Sequence, residues 1–220
     1  MIAFIDCYIN SPVYNCVNQF VDVTGIPASY HIPSKFGVDS LKEISNPDCY
    51  IILGSAAHVG ENSPWQKELL NFIIPKLESG IPVLGICYGH QLIADYFGSE
   101  IGYINSNQDH FDEIRTVSIT DKDFLSKLAL KKNDFNFAFA HSQVIQKLDP
   151  CFKSVAKSRL SSNEIIQHKT LPFVGIQAHP EASKSYLQND LKVGESLPTI
   201  LEDGQSFIRQ FYTSLALKSI

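Results

Sequence analysis

The chain has little of what would place it in a membrane, on nucleic acid or around a metal ion. No apolar run approaches the about 18 residues that a spanning helix needs. The N-terminus "MIAFIDCYIN" has no basic region ahead of its apolar part, so neither a membrane span nor a signal peptide is expected. Positive charge is scarce. Eighteen Lys and Arg face 23 Asp and Glu for a net charge of -5, and no basic cluster is longer than "ALKKND", which leaves no electrostatic footprint for nucleic acid. The seven histidines show neither H-E-x-x-H nor a paired Cys/His spacing, so no metal site is expected. Five cysteines are an odd number without a C-x-x-C pair, which argues against a disulfide framework and for a reducing, cytoplasmic setting.

What is present is an ordinary globular composition, 44% apolar and 19% charged, in 220 residues. No repeat, low-complexity tract or linker interrupts it, so residues 1–220 read as a single domain. "IAFIDC" (2–7) is a short apolar run. Ser11 then offers a helix cap, Pro12 a first helical position, and Val13, Cys16, Val17, Phe20 and Val21 a helical repeat closed by Gly25. The pattern recurs. "CYIILG" (49–54) precedes a helix opened by Ser63, Pro64 and Gln66, in which Pro75 predicts a kink or an early end. "IPVLGI" (81–86) precedes "GHQLIADYFG". Continuous apolar strands alternating with helices predict a parallel sheet covered on both faces. From residue 101 onward the segments "IRTVSIT", "FNFAFAHS", "KSVAKS", "EIIQHK" and "FVGIQAHP" are short and β-branched or aromatic, which predicts antiparallel or mixed strands. A last helix is expected over roughly 205–217.

The chemistry gathers at "VLGICYGHQ" (83–91). A strand that turns into a helix through one residue forces that residue into a strained conformation and needs small neighbours two positions away, which Gly85 and Gly89 supply around Cys87. Such a cysteine sits at a helix N-terminus, where unpaired amides favour the thiolate and can bring the pKa from about 8.5 to around 3.5 to 7.5. The Tyr88 N-H would point at the oxygen of an attacked carbonyl. By itself a cysteine beside glycine is equally compatible with α/β core packing. The second element is "GIQAHPE" (175–181). Residues two apart in an extended segment project to one side, so His179 and Glu181 can form the base and orienter of a triad, although a solvated loop end would have the same sequence.

In order and at plausible separation, "VLGICYGHQLIADYFG", "FAFAHSQVI" and "VGIQAHPE" resemble the class I, triad-type glutamine amidotransferases, and most closely the stand-alone members similar to the amidotransferase domain of GMP synthase. The resemblance runs from Met1 to about Tyr212. It implies an α/β fold of three layers, α/β/α and flavodoxin-like, with a central mostly parallel sheet and an additional antiparallel portion. It implies Cys87 as nucleophile, His179 as general base and acid and Glu181 as orienter, with the backbone N-H groups of Ser55 and Tyr88 as oxyanion hole. Gln91, Ser142 and Gln143 match the positions that hold the substrate glutamine. No cofactor and no metal is implied. The activity implied is hydrolysis of the glutamine side-chain amide to glutamate and ammonia through a γ-glutamyl thioester.

One loop departs from the family pattern. Where relatives of this kind carry a Gly-Gly-Pro run, the chain reads Gly54, Ser55, Ala56, Ala57. If Ser55 cannot take the φ of a glycine, one oxyanion donor is missing or depends on a partner, at about 2.7 to 4 kcal/mol. The S-G-G-x-D-S loop of an ATP pyrophosphatase is absent. Two partners therefore stay open: a separate synthase subunit that receives ammonia, or a γ-glutamyl compound hydrolysed by a γ-glutamyl peptidase with the same triad. A non-catalytic binding protein that keeps the fold is the alternative from another class. His90 is expected to make a structural hydrogen bond, His141 to lie near the site, and His31, His58, His110 and His168 to lie on the surface. Trp65 and "DFNFAF" read as core.

Overall fold

The computed structural model describes residues 1–10 and 15–216, so the expected cap Ser11, the first position Pro12 and apolar Val13 lie outside the described residues. Strands β1 (Ile2–Ile5), β2 (Ala28–His31), β3 (Cys49–Ile52) and β4 (Val83–Ile86) alternate with helices α1 (Asn15–Thr24), α2 (Pro33–Phe36), α3 (Asp39–Lys42), α4 (Pro64–Glu78) and α5 (Tyr88–Tyr96). There follow β5 (Glu100–Tyr103), β6 (Phe111–Ile119), α6 (Lys122–Lys127), β7 (Asp134–His141), β8 (Gln143–Lys147), β9 (Phe152–Lys157), β10 (Ile165–His168), β11 (Phe173–Ile176), α7 (Lys184–Asn189) and α8 (Leu197–Ala216).

Nine strands form one sheet in the order β2-β1-β3-β4-β11-β10-β9-β6-β7, and β5 pairs with β8 in a separate two-stranded ribbon. From β2 to β11 every pairing is parallel, and from β11 to β7 every pairing is antiparallel. The antiparallel portion expected from the short aromatic segments is thus a continuation of the main sheet. β11 is the hinge between the two modes, parallel to β4 on one side and antiparallel to β10 on the other.

All four residues of β1, β3, β4 and β11 are buried, which is why these strands read as unbroken apolar runs. Their side chains feed two cores in alternation. Ile2, Phe4, Leu84 and Ile86 pack with Val17 and Phe20 of α1 and Phe207 and Phe211 of α8. Ala3, Ile5, Tyr50 and Val83 face the other way, onto Leu69, Ile73 and Leu77 of α4 and Leu92 and Ile93 of α5. Each such large side chain contributes about 1.5 to 3 kcal/mol by leaving water, so the three layers hold each other in place. Among the described residues no helix is long and apolar enough to cross a membrane.

Two helices differ from expectation for identifiable reasons. α4 continues through Pro75 to Glu78, because the carbonyl that the proline leaves unpaired belongs to Asn71, on the exposed side where water replaces the lost bond. Its start is as expected, with the Ser63 N-H donating to Gln66 Oε1 at 2.6 Å. α8 begins at Leu197, with Pro198 in its first turn, well before residue 205. Gly204 obscures that beginning in the sequence, yet glycine is required there: a Cβ would fall 2.2 Å from the Pro180 carbonyl oxygen.

The tightest approach is between α5 and the sheet. A Cβ on Gly89 would lie 2.4 Å from the Ile52 carbonyl oxygen, and one on Gly85 would lie 2.6 Å from the Gly89 carbonyl. Backbone therefore rests on backbone at both ends of the turn into α5. Gly89→Ala should destabilise the protein by about 3 kcal/mol or more, since the rigid partner cannot give way. A urea midpoint equal to that of the parent would show that the helix is not seated this closely.

Candidate active site

Cys87 alone joins β4 to α5. It does so at φ 50° and ψ -100°, a left-handed conformation that a residue with a Cβ adopts only when its surroundings hold it there. Cys87 is 5% exposed. The next residue, Tyr88, opens α5, so its N-H has no acceptor within the helix. The Tyr88 ring is anchored away from this position, its hydroxyl accepting from Gln66 Nε2 at 2.7 Å.

The loop after β3 faces the same turn. Gly54 lies between the reacting side chains, with the position of a Cβ there 3.6 Å from Cys87 Cβ and 3.0 Å from His179 Cε1. Ser55 is not among the residues with positive φ, so the loop does not demand glycine at this position. The serine hydroxyl instead donates to the Cys7 carbonyl at 2.7 Å and accepts from the Ala57 N-H at 3.0 Å. One side chain thereby fixes the loop at both ends.

β11 runs beside β4 in register, Ile176 opposite Ile86, and the Ile176 carbonyl accepts from the Cys87 N-H at 2.8 Å. The chain that leaves β11 therefore passes the sulfur. His179 Nδ1 meets Glu181 Oε1 at 2.8 Å, which leaves Nε2 without a hydrogen-bond partner beside Cys87. Burial alone would lower the imidazole pKa, but the Glu181 carboxylate and the Cys87 sulfur outweigh it and raise it well above the ordinary value. The segment is held from several sides. The His179 N-H donates to the Ala138 carbonyl of β7 at 2.8 Å, Gln19 Nε2 of α1 reaches the Ala182 carbonyl at 3.3 Å, and Gly204 of α8 lies against Pro180.

β7 and the turn after it form the remaining wall. Cys87 Sγ donates to the Ala140 carbonyl at 3.7 Å. The Gln143 carbonyl accepts from Gln91 Nε2 at 2.7 Å and from His141 Nδ1 at 2.9 Å, while the Ser142 carbonyl accepts from the Ile104 N-H at 2.9 Å. The structure thus gathers Cys87, Tyr88, Gln91, Ser55, Ser142, Gln143, His179 and Glu181 at the carboxyl ends of β3, β4 and β11. Gln91, however, spends its Nε2 on protein acceptors, the second being Gln177 Oε1 at 2.9 Å. Gln177 joins the site without belonging to any motif that the sequence singles out. Its Nε2 lies 3.6 Å from Cys87 Sγ. The available signal was its spacing, two residues before His179 on the same side of an extended segment.

His141 joins this wall to a buried cation. Its Nε2 faces Arg115, whose guanidinium also bonds Glu113 at 2.9 Å and Glu164 at 2.7 Å and lies 3.9 Å from the centre of the Phe139 ring. Burial, with help from Arg115, lowers the His141 pKa to about 4. His90 is fully buried against Gly175, where burial lowers its pKa to about 3, and neither ring nitrogen makes a hydrogen bond. Its role is packing, without the hydrogen bond expected. His31 and His168 are 8% exposed, contrary to their expected surface position; His31 Nδ1 pairs with the Ser40 hydroxyl, and His168 Nδ1 accepts from two N-H groups of the next turn. His110 is exposed as expected, His58 is half-buried, and Phe135, Phe137 and Phe139 of "DFNFAF" are buried. All five cysteines are free.

A cysteine on a strand-to-helix turn, in a parallel sheet covered on both faces and beside a strand-end histidine, defines a class of α/β proteins with a cysteine elbow. Comparison with known proteins narrows it. The family model for glutamine amidotransferase class-I matches residues 3–191. The amidotransferase chain of the glutamine-hydrolyzing GMP synthase of Pyrococcus furiosus is 35% identical over 106 residues, 48% of this chain and 54% of that protein. The match thus spans about half the length of that relative. Anthranilate synthase component 2 of Methanocaldococcus jannaschii is 34% identical over 176 residues, 79% of this chain and 81% of that protein. A crystal structure of a glutamine amidotransferase from Thermotoga maritima superposes with a TM-score of 0.72 at 16% identity, covering 100% of this chain and 97% of that one, which is a likeness of fold. The chain belongs to the class I glutamine amidotransferase family and is of the GMP synthase-like type.

The two buried neutral histidines set an acid limit. In the unfolded chain each binds a proton near pH 6.5, whereas in the folded state it does so only near about 4 for His141 and about 3 for His90. Between those values the unfolded state holds more protons, so stability falls as pH falls. Each imidazole should contribute up to about 1.4 kcal/mol per pH unit, beginning above the range where carboxylates titrate. Urea midpoints that stay constant from about pH 7 to about pH 5 would contradict this.

Proposed function

We propose that the protein hydrolyses the side-chain amide of glutamine with Cys87 as nucleophile. The observation that carries the reading is the His179 imidazole, oriented by Glu181 through Nδ1 and left with an unpartnered Nε2 beside a cysteine held at positive φ. The raised pKa of the imidazole favours an imidazolium next to a thiolate, the ionisation state that attack requires.

The thiolate adds to the γ-carboxamide carbon, and the carbonyl oxygen takes up negative charge between the N-H groups of Ser55 and Tyr88. Ser55 needs no positive φ to donate, so this hole does not depend on a partner to turn a peptide. As the tetrahedral adduct collapses, His179 gives its proton to the departing nitrogen, and ammonia leaves behind a γ-glutamyl thioester. Water then adds to the thioester as His179 takes its proton. The second adduct collapses to glutamate and the Cys87 thiolate, with His179 again protonated. The segment at Ser142 and Gln143 holds the amino-acid end of the substrate, with Gln91 bracing it through the Gln143 carbonyl.

Ammonia passes to a separate synthase subunit in this reading. Support comes from the relatives, whose names make one of them a subunit of GMP synthase and another component 2 of anthranilate synthase. Ammonia release from glutamine should be abolished in Cys87→Ala and fall about a hundredfold or more in Glu181→Gln, since the imidazole then loses its orienting charge. Undiminished release by Cys87→Ala would exclude Cys87 from the reaction. A strong preference for γ-glutamyl peptides over free glutamine would reassign the same machinery to a γ-glutamyl hydrolase.

A further inference from the structure

Three groups meet the Cys87 sulfur: the Ala140 carbonyl at 3.7 Å, the His179 imidazole, and the Gln177 carboxamide with Nε2 at 3.6 Å. Only Gln177 has no part in the steps above. Its orientation is dictated by a backbone atom. The Gln143 carbonyl can only accept, so the Gln91 atom that meets it at 2.7 Å must be the amide nitrogen. That same nitrogen lies 2.9 Å from the Gln177 carboxamide, which must therefore turn its oxygen toward Gln91. Gln177 is then left with its NH2 group facing the sulfur, and the usual ambiguity of an amide flip is removed.

The chemistry of this contact favours one ionisation state. A thiol sulfur is a weak acceptor and a thiolate a strong one, so an N-H aimed at it stabilises the charged form. Gln177 is 1% exposed, and a donor kept out of water acts more strongly than one that water can replace. Gln177 is also uncharged. A lysine or arginine in its place would stabilise the thiolate equally well but would repel the His179 imidazolium, which the carboxamide does not.

We propose that Gln177 is a positioning residue for the Cys87 thiolate: its Nε2 fixes the sulfur and favours ionisation, and Gln91 sets its orientation from the Gln143 carbonyl. The proposal deepens the amidotransferase reading and rests on it for the effect on turnover, while the effect on the sulfur can be measured independently.

The readout is the pH profile of iodoacetamide alkylation at Cys87, located by mass spectrometry, with Cys87→Ala as background for the other four thiols. Gln177→Met removes the donor at similar volume and should move the midpoint up by about one pH unit, and Gln177→Glu, which adds a like charge, by more. Gln91→Met frees the Gln177 amide to turn and should shift the profile in the same direction. Turnover of glutamine at neutral pH should fall about tenfold in kcat for Gln177→Met, with KM changed less than about twofold. If thermal unfolding shows that Gln177→Met does not fold, Gln177→Glu and Gln91→Met decide. Parental alkylation profiles in the folded variants overturn the proposal, whether or not glutamine is hydrolysed. A shifted profile in a protein whose parent form releases no ammonia upholds the positioning role and sinks the amidotransferase reading instead.

Discussion

The closeness of α5 to the sheet is the constraint from which the site follows. With Gly85 below and Gly89 above, backbone touches backbone, and the single residue between them has no room for a relaxed turn. Cys87 therefore takes a left-handed conformation although it carries a side chain, at a strain of order 1 to 3 kcal/mol that the buried layers on either face offset. The same geometry opens the helix at Tyr88 and leaves its first amide unpaired. Nucleophile position and oxyanion donor are two results of one close contact.

The parallel half of the fold was legible because its strands are buried on both faces and its helices carry conventional start signals such as Ser63, Pro64 and Gln66. The antiparallel half was legible as strands but not as a continuation of the same sheet, because nothing in the local pattern of Phe173 to Ile176 says that its two neighbours run in opposite directions. Short elements such as α6 and α7 escaped for lack of a repeat long enough to show a period. The strand β2 escaped because its residues are mostly half-buried and carry no apolar alternation.

Legibility of the site depended on residue type. A cysteine flanked by glycines and a His-x-Glu pair at a strand end are rare enough combinations to be noticed, and the structure places them side by side. Gln177 was invisible because glutamine carries no charge or metal affinity to mark it, and its part emerges only from the polarity of Gln143, Gln91 and Gln177 taken in series. The neutral state of His141 was equally hidden, since it depends on Arg115, 26 residues away in the chain. Ser55 shows the reverse case. Its departure from a glycine pattern suggested a defect in the loop, whereas the hydroxyl supplies two bonds that a glycine could not make.

β7 ends the sheet, and along its unpaired side the backbone groups that would otherwise invite another strand are taken one after another. The Asn136 N-H is bound by Asp203 of α8 at 2.8 Å, the Ala138 carbonyl by the His179 N-H, and the Ala140 carbonyl by the Cys87 sulfur. An open border of this kind is a standing liability for aggregation, and proteins usually blunt it with charges, prolines or bulges. Here the nucleophile and the histidine segment serve as the border's cover, so protection against misassembly and alignment of the reacting groups draw on the same row of hydrogen bonds.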